Sequence, residues 1–284
     1  MVRTRQQQKQ QQQQQQREEV VQTAQQQQQQ PVQANPLASP PLNLRKNPFG
    51  SWFGPETTPI YLFVYNSLSC IGWLFIGGLF SGYVQTVGLV EALHSVHTVL
   101  GGWVHLLTMT ACLEILHAAL GIVRASVATT AVQCIMRLLV VTVVTNGLAE
   151  KSIQHHWSFA IMVFAWTISE TLRYGYYLLN ATPAGPPISV IWCRYSFFIV
   201  LYPIGAFGEA MQIYTGLDAL RAHYGTLAYL TAIGLLLVYP LGLFKMYTHM
   251  LQQRKKYLTA AYQMEARVQQ AVAEHRRAAA QANR

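Results

Sequence analysis

Long segments without a charged side chain are the feature that most restricts how this chain can fold. No Asp, Glu, Lys or Arg occurs from Thr57 to Val90, from Ala92 to Leu113 or from Ala222 to Phe244. As a helix, each segment is long enough to cross about 30 Å of hydrocarbon. The composition, 51% hydrophobic and 11% charged, is also unlike that of a soluble protein. The sequence therefore predicts an all-α, polytopic membrane protein.

The positive charge of the chain belongs to its two ends. The net charge is +9, yet residues 57–244 carry six basic and six acidic side chains. The flanking segments hold the other 14 basic and five acidic residues, as expected for ends that face the cytosol and its anionic lipid. We therefore expect a lipid bilayer, and no nucleic acid, as the partner of these charges.

Hydropathy predicts six transmembrane helices. They lie at about residues 60–83, 99–122, 127–147, 157–179, 190–214 and 226–247. The first, second and sixth are obvious, whereas the third, fourth and fifth contain charged residues that lower their hydropathy. An even number of spans puts both termini on one side. Basic residues before the first span and after the last place that side in the cytosol. We expect one bundle with an active-site cavity between its helices.

The segments outside the spans have different compositions. Residues 1–56 contain glutamine runs followed by a proline-rich stretch, which cannot bury enough apolar surface to order itself. They are predicted to be a disordered cytosolic tail, and residues 57–249 to be the membrane domain. Residues 250–284 have apolar side chains roughly along one helical face. We expect a basic cytosolic helical tail there, and self-association through that face stays open.

Several ionisable residues fall inside the predicted spans, where they cost free energy unless paired or facing a wet cavity. Glu170 and Arg173 are three residues apart on one helix face, and we interpret them as a structural ion pair. Glu114 and His117 have the same spacing, and they either pair or line a polar pocket. Arg137 has a choice of carboxylates on neighbouring helices.

The fifth predicted span carries a phenol and a carboxylate on one face. Tyr202, Gly205 and Glu209 are at positions i, i+3 and i+7, so the two long side chains can converge on one small substrate. A phenol and a carboxylate are a plausible acid and base pair near neutral pH. The alternative is a helix-packing notch in which the tyrosine donates one hydrogen bond.

Proline and glycine shape the same helix. Pro203 has no N–H and should leave the carbonyl of Ile199 without its helical partner, bending the helix. Gly205 and Gly208 remove side-chain bulk from the same region. The pattern predicts a helix wall with a slot in it.

The segment WCRYSFFIVLYPIGAFGE, residues 192–209, resembles the signature of the 3-hydroxyacyl-CoA dehydratases of very-long-chain fatty-acid elongation, also called the protein-tyrosine-phosphatase-like A family. The resemblance spans about residues 60–257. Further blocks agree in the same order: YLFVYNSLSCIGW (61–73), LEILHAALGIVRAS (113–126), TTAVQCIMR (129–137), SETLRYGYY (169–177) and YTHMLQQRKK (247–256). The differences from the family pattern are mild: Cys193, Ser196 and Arg124.

The resemblance implies a six-span protein of the endoplasmic reticulum that dehydrates (3R)-3-hydroxyacyl-CoA to trans-2-enoyl-CoA. It implies that Tyr202 and Glu209 are catalytic, with either one as the base, and that Arg194 and Gly205 support them. We expect Arg194 to contact the phosphates of CoA. The other candidate supporting residues are Glu114, His117 and Arg173. No cofactor or metal is expected.

The same resemblance implies an elongase, a ketoacyl reductase and an enoyl reductase as partners. The alternative is a catalytically dispensable scaffold that binds these partners. A di-iron desaturase or hydroxylase is disfavoured because SIQHHW (152–157) and HSVH (94–97) are only partial histidine clusters. A cysteine phosphatase is disfavoured because no cysteine is followed by arginine six positions later.

Overall fold

The structure, a computed structural model, describes residues 57–123, 125–182 and 185–282, and within these ranges its regular elements are all helices. The predicted disordered tail, residues 1–56, and Arg124 lie outside the described residues. The helices are α1 (Thr57–Val87), α2 (Leu89–Ser95), α3 (His97–Ala111), α4 (Leu113–Ala119), α5 (Val127–Leu138, continued by a π-helix at Leu139–Gly147), α6 (Lys151–Gln154), α7 (Trp157–Asn180), α8 (Ile188–Ser196), α9 (Phe198–Thr215) and α10 (Leu217–Ala282).

Local chemistry explains several helix boundaries. Gly88 separates α1 from α2 with a φ of 87°, and Gly225 breaks α10 near its start with a φ of 81°. Both values are accessible to glycine without steric cost. The Ser126 hydroxyl caps α5 by accepting a hydrogen bond from the Thr129 N–H at 3.4 Å. Pro187, extended and unable to donate, immediately precedes α8.

Five described segments are long and apolar enough to cross a membrane, in agreement with five of the six predicted spans. They are Ile60–Val87, His97–Ala119, Val127–Gly147, Ile188–Thr215 and Leu217–Glu274. The remaining predicted span, at residues 157–179, is the helix α7. It has 24 residues and so reaches about 36 Å, but it is not among the five apolar segments. The all-helical class is confirmed, and the six-span bundle stays a prediction.

Packing around α7 accounts for its lower hydropathy. This helix packs against both α1 and α9. At Gly208 the backbone of α9 approaches α7 so closely that a Cβ atom would lie 3.0 Å from the Met162 nitrogen. A helix enclosed by protein presents few side chains to lipid, and it can therefore carry Glu170 and Arg173 at lower cost.

The last helix extends well beyond its apolar part. After Gly225 it continues without a further break to Ala282. Its extension packs on α8, where Tyr257 stacks on Tyr195 with ring centroids 4.6 Å apart. Leu258 and Ala261 are buried in the same region. Residues 250–282 are thus helical, and their cytosolic location stays a prediction.

Candidate active site

Tyr202 and Glu209 lie two turns apart on α9 in different environments. Glu209 is buried, with 9% of its surface exposed, whereas Tyr202 is half-buried. The hydroxyl of Tyr202 has no hydrogen-bond partner among the described residues. Tyr202 nevertheless lies within electrostatic range of Glu209 and of Arg137. The predicted convergence of a phenol and a carboxylate is therefore compatible with the geometry, although the two make no direct hydrogen bond.

The carboxylate of Glu209 is held by donors from two other helices. Trp166, on α7, donates its indole N–H to Oε1 of Glu209 at 2.9 Å. Tyr239, on α10, donates its hydroxyl to Oε2 at 2.5 Å. Both carboxylate oxygens thus accept a hydrogen bond, so that three helices meet at one buried acidic side chain.

Tyr239 was not identified from the sequence. It lies in a long apolar segment and is 30 residues from Glu209, so no helical spacing connects them. A local signal exists, because Tyr239-Pro240-Leu241-Gly242 repeats the Tyr-Pro-x-Gly pattern that begins at Tyr202. The two copies lie on helices that pack against each other.

A chain of charged side chains extends from the same tryptophan. The guanidinium of Arg137 lies over the Trp166 ring, 4.8 Å from its centroid, and donates to Oε1 of Glu170. Arg173 donates to Oε2 of Glu170 at 2.5 Å and to Oε2 of Glu114 at 2.7 Å. The Glu170–Arg173 pair therefore forms as predicted, and Arg137 takes Glu170 as its carboxylate.

Charge pairing distinguishes Glu209 from the other two carboxylates. Glu114 and Glu170 form ion pairs with arginine, whereas Glu209 has no ion pair with any described residue. Its donors are a neutral indole and a neutral phenol. Among these three carboxylates, Glu209 is therefore the one that neutral donors hold.

Glu114 and His117 do not pair with each other. Glu114 accepts a hydrogen bond from the Tyr174 hydroxyl at 2.6 Å besides its ion pair with Arg173. His117 is buried, and its Nε2 is hydrogen-bonded to the Tyr61 hydroxyl at 2.7 Å. Of the two alternatives left open by the sequence, the direct pair is therefore absent, because Glu114 binds Arg173 and Tyr174 and His117 binds Tyr61.

Arg194 lies among aromatic rings on α8. Its guanidinium carbon is 4.6 Å from the ring centroid of Tyr176 and 4.7 Å from that of Tyr177. One Nη donates to the Arg173 carbonyl at 3.4 Å and the other to the Tyr177 hydroxyl at 3.2 Å. Its Nε is buried without a partner among the described residues. Donor capacity therefore remains on this side chain.

The two glycines of α9 serve close packing. A Cβ atom at Gly205 would be 3.4 Å from the Cβ of Ala165, and one at Gly208 would be 2.9 Å from the Cβ of Met162. At Gly208 α7 occupies the space that a side chain would need, whereas at Gly205 the added atom would make an ordinary van der Waals contact. The geometry therefore fits a packing notch at Gly208, and the role of Gly205 stays a prediction.

Comparison with known proteins shows that the chain matches the profile of one protein family. The profile of a family described as "Protein tyrosine phosphatase-like protein, PTPLA" matches residues 108–260. This range includes Arg137, Trp166, Tyr202, Glu209 and Tyr239. No solved structure matches the chain.

Curated relatives from distant organisms carry one kind of name. Very-long-chain (3R)-3-hydroxyacyl-CoA dehydratase 2 of Mus musculus is 34% identical over 219 residues, which cover 72% of this chain and 83% of the relative. A probable very-long-chain (3R)-3-hydroxyacyl-CoA dehydratase of Schizosaccharomyces pombe is 34% identical over 199 residues, covering 69% and 91%. The Caenorhabditis elegans dehydratase hpo-8 is 30% identical over 215 residues, covering 70% and 94%.

Proposed function

Because the chain belongs to the protein tyrosine phosphatase-like (PTPLA) family, we propose that it is a dehydratase that converts (3R)-3-hydroxyacyl-CoA to trans-2-enoyl-CoA in very-long-chain fatty-acid elongation. The names of its relatives support this reaction. The observation that carries the proposal is Glu209, a buried carboxylate free of ion pairs among the described residues, on the same helix as Tyr202.

The two side chains divide the proton transfers. Glu209 removes the C2 proton, which the thioester carbonyl makes acidic, and the C2–H electrons form the C2–C3 double bond as the C3–O bond breaks. Tyr202 gives its proton to the departing hydroxyl, which leaves as water. A proton then passes from Glu209 to Tyr202 and restores both groups.

The hydrogen bonds of Glu209 and their absence at Tyr202 among the described residues support these roles. Glu209 accepts two hydrogen bonds, which suits an ionised carboxylate. Tyr202, whose hydroxyl has no acceptor among the described residues, has its proton available to a substrate. Arg137 lies within electrostatic range of both, and its positive charge would favour the negative charge that develops on the thioester oxygen.

The remaining candidate residues support the site at a distance. Arg194 contacts the CoA phosphates, since a buried Nε without a partner among the described residues leaves it donor capacity. Gly205 lets α9 lie close to α7. Arg173 and Glu114 hold Glu170, and through it Arg137, in place, whereas His117 joins α4 to α1 through Tyr61.

The family resemblance implies a cellular setting for this reaction. The protein spans the endoplasmic reticulum membrane six times with both termini in the cytosol, and the acyl chain enters between the helices. A ketoacyl reductase supplies its substrate, an enoyl reductase consumes its product, and an elongase begins the cycle. The positively charged flanks support this orientation.

Turnover of a long-chain (3R)-3-hydroxyacyl-CoA by the purified protein tests the proposal. We expect Tyr202→Phe and Glu209→Gln each to lower kcat about 100-fold or more. Tyr214→Phe is the matched control, because Tyr214 is an exposed phenol on the same helix. Normal turnover in both site variants would show the assignment to be wrong.

A dehydratase-deficient cell separates catalysis from a scaffold role. We expect wild type and Tyr214→Phe to restore elongation and the two site variants to fail at equal expression. Restoration by Tyr202→Phe and Glu209→Gln would instead support the scaffold.

A further inference from the structure

The proton transfers proposed above give no role to Tyr239, although this residue contacts Glu209. Its hydroxyl lies 2.5 Å from Oε2 of Glu209 and reaches it from α10, whereas Glu209 is on α9. The second donor, Trp166, comes from α7 and binds the other oxygen. The orientation of the carboxylate is therefore set from two helices that do not carry it.

Hydrogen bonds to both carboxylate oxygens fix the orientation of the Glu209 carboxylate as well as its position. One hydrogen bond to each oxygen defines the rotation of the carboxylate plane. An ionised carboxylate offers about four lone-pair sites, so both oxygens can still accept a proton. The indole N–H of Trp166 can only donate, so Oε1 must act as an acceptor. The arrangement thus suits a base that is already oriented when substrate arrives.

A simpler interpretation is that a buried phenol has only found a partner for its hydroxyl. Tyr247, on the same helix, fits that description, because its hydroxyl donates to the backbone carbonyl of Ile199 on α9 at 3.4 Å. Tyr239 differs in two respects. Its partner is an ionisable side chain without an ion pair among the described residues, and the other oxygen of that side chain is also held.

We propose that Tyr239 is a positioning residue of the dehydration. Together with Trp166 it holds the Glu209 carboxylate, as a hydrogen-bond acceptor, in the orientation in which Glu209 removes the C2 proton. The proposal rests on the dehydratase function given above. Because Tyr239 acts through Glu209, its loss impairs the chemical step more than substrate binding.

Tyr239→Phe removes the donor and keeps the ring. A small misplacement of a reacting group can cost about 100-fold in rate, and we expect kcat to fall about 10- to 100-fold with KM changed less than about twofold. Deuterium at C2 of the substrate should slow Tyr239→Phe more than it slows wild type, because C2–H cleavage becomes rate-limiting. A purely structural role would not change this isotope effect.

Two further variants make the test specific. Trp166→Phe keeps a ring face for Arg137 and removes the other donor to Glu209, so it should show the same loss in kcat and the same isotope effect. Tyr247→Phe removes a phenol from the same helix without touching Glu209, and its kcat and isotope effect should equal those of wild type. In a Glu209→Gln background, Tyr239→Phe should lower kcat no further.

The outcomes separate this role from the function on which it rests. An active wild type, an inactive Glu209→Gln and a fully active Tyr239→Phe would overturn the role of Tyr239 and leave the dehydratase intact. Additive losses of Tyr239→Phe and Glu209→Gln would overturn it as well, because they would show that Tyr239 acts independently of Glu209. An inactive wild type would contradict the function itself.

Discussion

The hydroxyl of Tyr247 donates a hydrogen bond to the carbonyl oxygen of Ile199 at 3.4 Å. This carbonyl is the one that Pro203 cannot satisfy, because proline has no N–H to donate four residues later. A side chain of α10 thus replaces a missing backbone donor of α9, one turn before Tyr202.

We predict that Tyr247→Phe lowers the free energy of unfolding by about 0.6 kcal/mol, a typical value for a side-chain hydrogen bond within a membrane protein. Unfolding in detergent measures it. In a Pro203→Ala background the cost should disappear, since the alanine introduced there has an N–H that can donate to the same carbonyl. An equal cost in both backgrounds would contradict this explanation.

Glu170→Gln should be strongly destabilising. Glu170 is almost fully buried and forms ion pairs with both Arg137 and Arg173, so its loss leaves the partly buried Arg137 without a carboxylate and Arg173 with Glu114 alone. We expect a cost of about 3–5 kcal/mol, seen as a lower unfolding temperature in detergent. Glu150→Gln, at an exposed position, is the control and should lie within about 0.5 kcal/mol of wild type. Equal stability of the two variants would refute the structural role of the ion pairs.

Gly208→Ala tests the close approach of α9 to α7. The added methyl group would lie 2.9–3.0 Å from Met162 atoms that include its backbone, and the two helices would have to separate. We predict a loss of about 1–3 kcal/mol and reduced turnover, because Trp166 and Glu209 lie on those two helices. Gly234→Ala has nothing within 4 Å of its added atom and should be neutral or slightly stabilising. A stable, fully active Gly208→Ala would contradict the packing.

The membrane topology of α7 can be tested directly. We predict that it crosses the membrane, so that residue 149 faces the lumen and residue 185 faces the cytosol. A glycosylation acceptor on a flexible spacer, inserted at one or the other position, should be modified at 149 alone. Equal modification at both positions would mean that α7 does not cross.

Local patterns predicted the helices and the contacts within them. Uncharged segments long enough to span a bilayer correspond to apolar helices, and the spacing of Glu170 and Arg173 predicted their ion pair. Such features depend on one segment of chain, where side-chain period and backbone geometry are fixed.

Contacts between helices were harder to predict from the sequence. The sequence left Arg137 with a choice of carboxylates, because the partner depends on which helices pack together. Glu114 and His117 share a face, yet Arg173 and Tyr61 bind them. Tyr239 was missed for the same reason, since its approach to Glu209 depends on how α10 lies against α9.

The extension of α10 makes two contacts depend on the number of residues between them. Tyr239 contacts Glu209 and Tyr257 stacks on Tyr195, and the 18 positions from one tyrosine to the other form about 27 Å of continuous helix. Deleting or inserting one residue in this interval would rotate one tyrosine relative to the other by about 100°, so that both contacts could not be kept. The interval should therefore accept many substitutions but no change in length.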